Sequence, residues 1–281
     1  MDISTIARRG QFSQWPKIVV VLGNFVISGW AWAVPVPLIN PSFESDPAGA
    51  PTAINNGVPT GWSAYNPALA PGVFFGSLYA APDNYPDGAP DGNHVQVNYI
   101  AANNPADQEF GVFQTLSSSL AANTLYTLTV EVGNIASGEN DLNVTPDNPD
   151  DDVFFDIAGF NGYRVELRTA SAGGSGQTLI AESLSVSDGN SIPDGEFRTV
   201  SLVLDSRHVA PELIGEPLEI LLVNLNEIDP AFVGRDRETN FDNVRLDAAE
   251  IQGNTVQLPL PMNLILVLGG LTISIGGRKL R

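Results

Sequence analysis

Cysteine is absent from this 281-residue chain, and histidine occurs only as His94 and His208. Without cysteine no disulfide can stabilise an exported form of the chain. A zinc site takes three or four nitrogen or sulfur ligands, and two scattered histidines do not supply them. A nucleophilic triad needs a positioned base, and neither histidine has a motif around it. A surface or packing role is therefore the simpler interpretation of both histidines, and no residue is assigned as catalytic.

Positive charge is scarce between the two ends of the chain. Residues 34–257 contain seven Lys and Arg against thirty-one Asp and Glu, a formal charge of −24. So acidic a segment does not hold nucleic acid through its phosphates. It favours solubility and attracts divalent cations.

A convincing helical period is also lacking, and alternating patterns take its place. The clearest alternating pattern extends from Leu125 to Gly133, where apolar and polar residues alternate as in a strand with one buried face. About ten short strands separated by turn signals predict an all-β fold, a jelly roll or β-sandwich of antiparallel strands. We expect this domain to span residues 34–250.

Targeting segments are predicted at both ends. Basic residues, an apolar run from Ile18 to Ile27 and a small-residue site predict a secretory signal peptide, helical over residues 1–33 and cleaved after Ala33. Residues 251–281 form a linker, a short hydrophobic helix and a basic end, a layout that would stop in a membrane. We therefore expect a secreted protein that is transiently membrane-anchored.

The C-terminal layout resembles the PEP-CTERM class of bacterial sorting signals. Its variant motif reads Val-Pro-Leu-Pro-Ala, and Leu258-Pro259-Leu260-Pro261-Met262 differs from it at the first and last positions. In that class an exosortase-type enzyme reads the tail. The resemblance implies delivery to the cell surface or the extracellular matrix.

The strand Asn240–Asp247 carries the main metal hypothesis. A break in its alternation at Asp242-Asn243 predicts a β-bulge, where a carboxylate and an amide offer oxygen donors to a hard cation such as calcium. We expect the segment ending at Glu44 to lie beside this strand, so that Glu44 and Asp242 share one structural calcium ion. Alternatively, both are ordinary carboxylates of edge strands. The acidic residues 139–156 do not follow an EF-hand and are either a solvated loop or a second, weak cation site.

Aromatic residues interleaved with amides and carboxylates between residues 62 and 99 suggest a ligand surface. Sugar rings have an apolar face and a fringe of hydroxyl groups, which suit flat aromatics flanked by polar groups. Trp62 is expected in the core, whereas Tyr79 and Tyr85, in turn-rich segments, are expected to be exposed. The predicted ligand-binding residues are Tyr65, Tyr79, Tyr85 and Tyr99.

Several short segments in a fixed order resemble the galactose-binding-domain-like β-sandwiches. They include Asn40-Pro41-Ser42-Phe43-Glu44, Gly61-Trp62, Gly162-Tyr163-Arg164-Val165-Glu166-Leu167 and Phe241-Asp242-Asn243-Val244. This group contains carbohydrate-binding modules and, in cyanobacteria, the Stig-type cyclases of hapalindole alkaloids. A calcium ion commonly joins the first and last strands of such sandwiches. The resemblance thus implies Glu44 and Asp242 as ligands, with Asn40 and Asn93 as further candidates.

Two functions from different classes follow. The first is a non-enzymatic, calcium-stabilised surface module that binds an extracellular polysaccharide or another matrix component, and the sorting tail favours it. The second, implied by the cyclase resemblance, is an enzyme in which a carboxylic acid protonates an indole substrate to drive rearrangement and ring closure. A catalytic acid needs burial to raise its pKa. Asp242 and Glu238 are the nearest candidates for that acid.

Overall fold

The computed structural model describes residues 33–46, 54–140, 153–170 and 176–251, and these residues form an antiparallel β-sandwich. Both predicted terminal helices and most of the acidic loop lie outside the described residues, as does the sorting motif. Within the described part, no helix has the length and hydrophobicity of a membrane span. The predicted all-β class is confirmed.

Short strands account for almost all of the regular structure. In chain order they are β1 (Val34–Pro35), β2 (Ile54–Asn56), β3 (Ser63–Tyr65), β4 (Val73–Tyr79), β5 (His94–Ile100), β6 (Phe110–Ser119), β7 (Thr124–Asn134), β8 (Gly138–Asn140), β9 (Val153–Phe155), β10 (Tyr163–Thr169), β11 (Thr178–Leu184), β12 (Glu196–Asp205), β13 (Pro217–Asn224) and β14 (Arg237–Glu250). Single 3-10 turns cover Val186–Asp188, Ser206–His208 and Pro211–Leu213.

Two sheets form the layers of the sandwich. Sheet A has the order β12-β7-β14-β5-β4-β2, with β1 also paired to β14, and sheet B has the order β11-β10-β13-β6-β3. Strands β8 and β9 form a separate hairpin. Apolar residues that alternate along the strands of both sheets, such as Leu128, Val165 and Phe241, pack together as the main core.

A second apolar cluster lies on the other face of sheet A. It contains Tyr85, Val95 and Val97 and is joined by Ile135 and Ile157, which flank the β8–β9 hairpin. Strands β5 and β14 are therefore covered on both faces, and polar residues such as Gln96 and Asn240 are buried in them. The candidate site lies in this second cluster.

The bulge in β14 occurs where the sequence predicts it. The pairing of β14 with β7 shifts between Asp242 and Arg245, and Asn243 has a φ of 50°. The extra residue lets both Phe241 and Val244 point into the main core although they are three positions apart. Before the bulge, Glu238, Asn240 and Asp242 alternate onto the opposite face of the strand.

The segment before Glu44 lies beside β14, as predicted, but only Val34–Pro35 is a strand. Val36 donates a backbone hydrogen bond to Leu246 (2.7 Å), and Val244 donates one to Pro41 (3.0 Å). The chain then turns through residues with positive φ at Asn40 and Phe43. A continuous strand from Val34 to Glu44 is therefore ruled out by backbone conformation.

Candidate functional site

A cavity of about 230 Å³ opens on the face of sheet A that carries the second apolar cluster. Strands β2, β4, β5 and β14 form its floor, and residues on either side of the β8–β9 hairpin cover it. Its lining residues are Ile54, Asn56, Phe74, Leu78, Val97, Tyr99, Ile135, Phe155, Ile157 and Glu238. Cavities of this kind, mostly apolar with few polar groups, are typical of small-molecule sites.

Three aromatic rings define one wall of the cavity. The ring of Tyr99 meets Phe74 edge to face, with centroids 6.2 Å apart, and meets Phe155 in the same way at 6.3 Å. A Cβ atom at Gly76 would lie 2.9 Å from the Phe74 ring and 2.7 Å from the carbonyl oxygen of Asn55. Glycine at this position therefore lets the Phe74 ring lie against the sheet.

The hydroxyl group of Tyr99 does not serve the cavity. It donates a hydrogen bond of 2.6 Å to Asp236 Oδ2, while Asp236 Oδ1 accepts one of 2.7 Å from the backbone of Ala102. Burial and the neighbouring Asp236 raise the pKa of Tyr99, so the hydroxyl keeps its proton. Tyr99 thus offers its ring rather than its hydroxyl group to a ligand.

Glu238 is the one ionisable carboxyl group among the described residues that line the cavity. Glu238 is only 4% exposed. Burial raises the pKa of its carboxyl group to about 7, and the charge of Asp236 contributes to this rise. A hydrogen bond of 2.8 Å from Asn240 Nδ2 to Glu238 Oε1 opposes this rise. At neutral pH the group is therefore partly a neutral acid, which is the form that a proton donor needs.

Asp242, the other acid considered from sequence, does not line the cavity. Burial raises its pKa to about 8, with contributions from the charges of Asp91 and Glu44. Its Oδ2 accepts a hydrogen bond of 2.8 Å from Asp91 N and its Oδ1 accepts one of 2.6 Å from Asn243 N. Among the two candidates, only Glu238 combines a raised pKa with access to the cavity.

Of the four predicted ligand-binding tyrosines, the structure places only Tyr99 in the cavity. Tyr65 lies in sheet B and donates a hydrogen bond to Glu109 Oε1. Tyr79 is half-buried and packs edge to face on His94. The expectation that Tyr85 is exposed is wrong: it is fully buried because its ring stacks on Phe197 and its hydroxyl group is bonded to Asn240. Trp62 is buried, as predicted.

The cavity residues that were not predicted from the sequence are mainly apolar. Leu78, Val97 and Ile135 have the pattern of ordinary core positions, which they also are. One signal in the sequence could have helped, namely that every second residue of a strand faces the same side of the sheet. Tyr99 and Val97 in β5 share a face with their cross-strand partners in β14, Glu238 and Asn240. This alternation identifies residues on a shared face only once the register of the two strands is known.

The predicted metal ligands are partly brought together. Glu44 Oε1 accepts hydrogen bonds from the backbone of Asn93 (2.7 Å) and His94 (2.6 Å), and Glu44 Oε2 lies 2.8 Å from His94 Nδ1. Glu44 and Asp242 therefore contact one turn, residues 91–94, from opposite ends. The side chain of Asn40 is bonded to Asp46 and to the backbone of Ser45, and Asn93 meets Glu44 through its backbone. Among the described residues, no group of three or more His, Asp or Glu has the spacing of a metal site.

Comparison with known proteins identifies relatives of this arrangement. The HpiC1-like family, described as HpiC1 cyclase, matches residues 34–247. A cyclase from Fischerella sp. in its apo form is 26% identical, with a TM-score of 0.57 over 79% of this chain and 98% of its own. No curated protein matches the chain.

Two further solved structures from Fischerella sp. TAU contain small ligands. A Stig cyclase in complex with (3Z)-3-(1-methyl-2-pyrrolidinylidene)-3H-indole is 27% identical, with a TM-score of 0.59. A cyclase in complex with 4-(1H-indol-3-yl)butan-2-one is 28% identical, with a TM-score of 0.58. Each alignment covers 79% of this chain and 100% of the other. The resemblance to the Stig-type cyclases stated from sequence is confirmed.

These findings correct the functional prediction. The interpretation as a non-enzymatic, polysaccharide-binding surface module is wrong, because the matching family and its solved structures are cyclases. The predicted partners, an extracellular polysaccharide or matrix and an exosortase-type enzyme, are corrected as well, because the solved cyclases hold small indole-containing molecules and support neither macromolecular partner. The terminal segments favoured the surface module, but they carry no information about the cavity inside the domain.

Proposed function

Because the chain belongs to the HpiC1-like cyclase family, we propose that it is an acid-dependent cyclase that takes an indole alkaloid precursor into the cavity on sheet A. In this reaction the neutral carboxylic acid of Glu238 protonates the bound precursor and so drives rearrangement and ring closure. The observation that supports the proposal most directly is the position of this single buried carboxyl group among apolar and aromatic walls.

The walls suit a reaction that passes through a carbocation. Phe74, Tyr99 and Phe155 place electron-rich rings around the acid, and such rings stabilise a nearby cation. The surrounding aliphatic residues keep water, which would trap a cation as an alcohol, away from the reacting atoms. The same apolar surroundings hold Glu238 partly protonated, so one feature of the cavity serves both the acid and the cation.

The reaction balances without an oxidant or reductant. The electron pair of a carbon–carbon double bond takes the Glu238 proton and forms a carbon–hydrogen bond, which leaves a cation and the Glu238 carboxylate. The π electrons of the indole attack the cation and form the new ring bond. A proton then leaves the attacked ring carbon, and the Glu238 carboxylate is in position to accept it. The product is an isomer of the substrate.

Turnover in heavy water tests this proposal. We expect the purified protein to convert the substrate of the Fischerella sp. cyclases into a product of the same composition, which in D₂O carries one deuterium at carbon because the Glu238 proton exchanges with solvent. Mass spectrometry and NMR of the product measure both. Absence of an isomeric product, or a product formed in D₂O without deuterium, would contradict the proposal.

A pair of tryptophan variants ties the activity to the cavity. Ile54 lies on edge strand β2 and lines the cavity, so Ile54→Trp should obstruct it. Val203 lies on β12, the opposite edge strand of sheet A, and is 53% exposed, so Val203→Trp makes a comparable change away from the cavity. Turnover that is lost in the first variant and kept in the second places the reaction in the cavity, whereas equal turnover places it elsewhere.

The calcium ion predicted at Glu44 and Asp242 stays a prediction, and electrostatics support it. Glu44, Asp91 and Asp242 are close enough that the charges of the first two raise the pKa of the third. A divalent cation bound by Glu44 and Asp242 would offset this repulsion and hold the turn at residues 91–94 against β14. Its proposed role is structural, because Asp242 does not line the cavity.

Calcium is therefore expected to raise the melting temperature of the EDTA-treated protein. A ligand at about 100 times its dissociation constant stabilises the folded state by roughly 2.7 kcal/mol, which in a domain of this size corresponds to about 5–10 °C. Differential scanning calorimetry with and without calcium measures the shift. Asp242→Asn and Glu44→Gln should reduce it, whereas Glu212→Gln, at an exposed position, should not. Identical melting temperatures with EDTA and with calcium would refute the site.

A further inference from the structure

Asn240, next to Glu238 on the same face of β14, is held in one amide orientation. Its Nδ2 lies 3.0 Å from the backbone carbonyl oxygen of Gln96 and 2.8 Å from Glu238 Oε1. A backbone carbonyl can only accept a hydrogen bond, so the Asn240 atom facing it must be the NH₂ group. Both hydrogens of this group are then engaged, one by Gln96 and one by Glu238.

The other side of the Asn240 amide is fixed by Tyr85. The Tyr85 hydroxyl group lies 2.6 Å from Asn240 Oδ1 and must donate, because Oδ1 has no hydrogen. Burial and the charges of Glu238 and Asp242 raise the pKa of Tyr85 well above its usual value, so the donor proton is retained. Tyr85 and Gln96 thus specify the same amide orientation independently.

The chain keeps space for the Tyr85 hydroxyl group at the strand next to Asn240. Gly133 of β7 is the cross-strand partner of Asn240. A Cβ atom at Gly133 would lie 2.7 Å from the Tyr85 hydroxyl oxygen and 2.6 Å from the ring of Phe197. The Tyr85 ring is stacked on Phe197, with centroids 4.4 Å apart. Glycine here therefore allows a tyrosine remote in sequence to reach β14.

The two oxygens of Glu238 consequently differ. Oε1 accepts from Asn240, whereas Oε2 has no hydrogen-bond partner among the described residues. In a neutral carboxyl group the carbonyl oxygen is the better acceptor, so the hydrogen bond from Asn240 favours Oε1 as the carbonyl oxygen and places the acidic hydrogen on Oε2. The Glu238 backbone is fixed as well, because its N–H donates to Asn161 Oδ1 at 2.9 Å.

We propose that Tyr85 and Asn240 are positioning residues for the acid: the relay Tyr85 hydroxyl to Asn240 amide to Glu238 Oε1 holds the carboxyl group in one orientation and keeps its transferable proton on Oε2. This inference rests on the proposed function for its catalytic meaning. The hydrogen-bond relay itself can be tested without turnover. Asn240 is bonded to Glu238 and Tyr85 is bonded to Asn240, and neither Tyr85 nor Asn240 lines the cavity.

The test compares Tyr85→Phe and Asn240→Leu with Tyr163→Phe. The last variant removes the hydroxyl group of another fully buried tyrosine, one that donates to Glu182 in sheet B. The titration of Glu238 is followed by ¹³C NMR of protein labelled at the glutamate carboxyl carbons, with Glu238→Gln identifying the signal. The hydrogen bond from Asn240 favours the carboxylate form, so its loss should raise the titration midpoint.

We expect Asn240→Leu to raise the midpoint by about one pH unit, Tyr85→Phe to raise it by less, and Tyr163→Phe to leave it unchanged. Where cyclisation is measured, both relay variants should lower the rate on the low-pH plateau by about tenfold, because a carboxyl group that is free to rotate rarely points its proton at the substrate. A general loss of stability would not shift the Glu238 midpoint in this order.

The outcomes separate the relay from the proposed function. If the wild-type protein does not cyclise the substrate but the midpoint shifts in the expected order, the proposed function fails and the relay stands as a property of the folded chain. If wild-type turnover occurs and both relay variants keep its midpoint and plateau rate, the relay is overturned and the function stands. Should Asn240→Leu fail to fold, an unchanged midpoint in Tyr85→Phe overturns the relay by itself.

Discussion

Replacing Glu238 with glutamine is expected to lower the rate of cyclisation by roughly 10²–10⁴-fold, the usual contribution of a positioned acid. Glutamine keeps the size of the side chain and can still accept the hydrogen bond from Asn240, but it has no acidic proton. Because the walls of the cavity are unchanged, the affinity for the proposed indole substrate should change little. Steady-state kinetics and a binding titration measure the two quantities separately.

Asp242→Asn is the informative comparison for this variant. Asp242 is buried in the same strand and also has a raised pKa, but it does not line the cavity. Its replacement should therefore lower the rate far less than Glu238→Gln does when calcium is present. A larger loss in Asp242→Asn than in Glu238→Gln would assign the acid to Asp242.

The pH dependence of cyclisation is a second way to test whether Glu238 is the acid. The proton donor is the neutral carboxyl group, so activity is expected below the pKa of Glu238, about 7, and should decline as pH rises through that value. In the calcium-free protein, burial raises the pKa of Asp242 to about 8, so its carboxyl group loses its proton in an overlapping range. A decline that persists in Asp242→Asn belongs to Glu238, whereas one that disappears belongs to Asp242.

The fold could be predicted largely because several strands alternate between apolar residues that face the main core and polar residues that face away from it. The alternating residues of β7 form a strand in the structure, and the break at Asp242-Asn243 forms a bulge. These features are local, and the two-residue period of a strand encodes them directly. Trp62 is also buried in the core, as predicted.

Apart from Tyr99 and Glu238, the residues of the candidate site could not be predicted, because the cavity depends on a second layer outside sheet A. In β5, Val97 and Tyr99 face the cavity while Gln96 and Asn98 are also buried, so polarity along the strand does not reveal which face holds a ligand. Tyr85 follows a turn, which suggests exposure, but tertiary packing on Phe197 overrides the local signal. Likewise, only burial distinguishes Glu238 as an acid from the many other carboxylates of the chain.

Breaking the ion pair between Arg168 and Glu219 is expected to have the largest effect on stability. Both residues are buried on the outer face of sheet B, with exposures of 4% and 1%. Arg168 Nε donates to Glu219 Oε1 at 2.6 Å, and the guanidinium lies over the ring of Tyr65, 5.5 Å from its centroid. Removing one partner of a buried pair leaves an uncompensated charge and costs about 3–5 kcal/mol. Arg168→Met should therefore lower the free energy of unfolding by that amount, measured by urea denaturation.

The double variant Arg168→Met/Glu219→Leu distinguishes loss of pairing from loss of packing. With both charges gone, Thr115 loses a hydrogen bond of 2.7 Å to Glu219 Oε2, but no buried charge is left unpaired. Apolar replacement of a whole buried pair is often close to neutral, so the double variant should recover most of the stability lost in Arg168→Met. A double variant no more stable than Arg168→Met would instead show that the packing of Arg168 on Tyr65 supplies the stability. In either case Tyr65, predicted from sequence as a ligand-binding residue, contacts Glu109 and Arg168 in sheet B and does not line the cavity on sheet A.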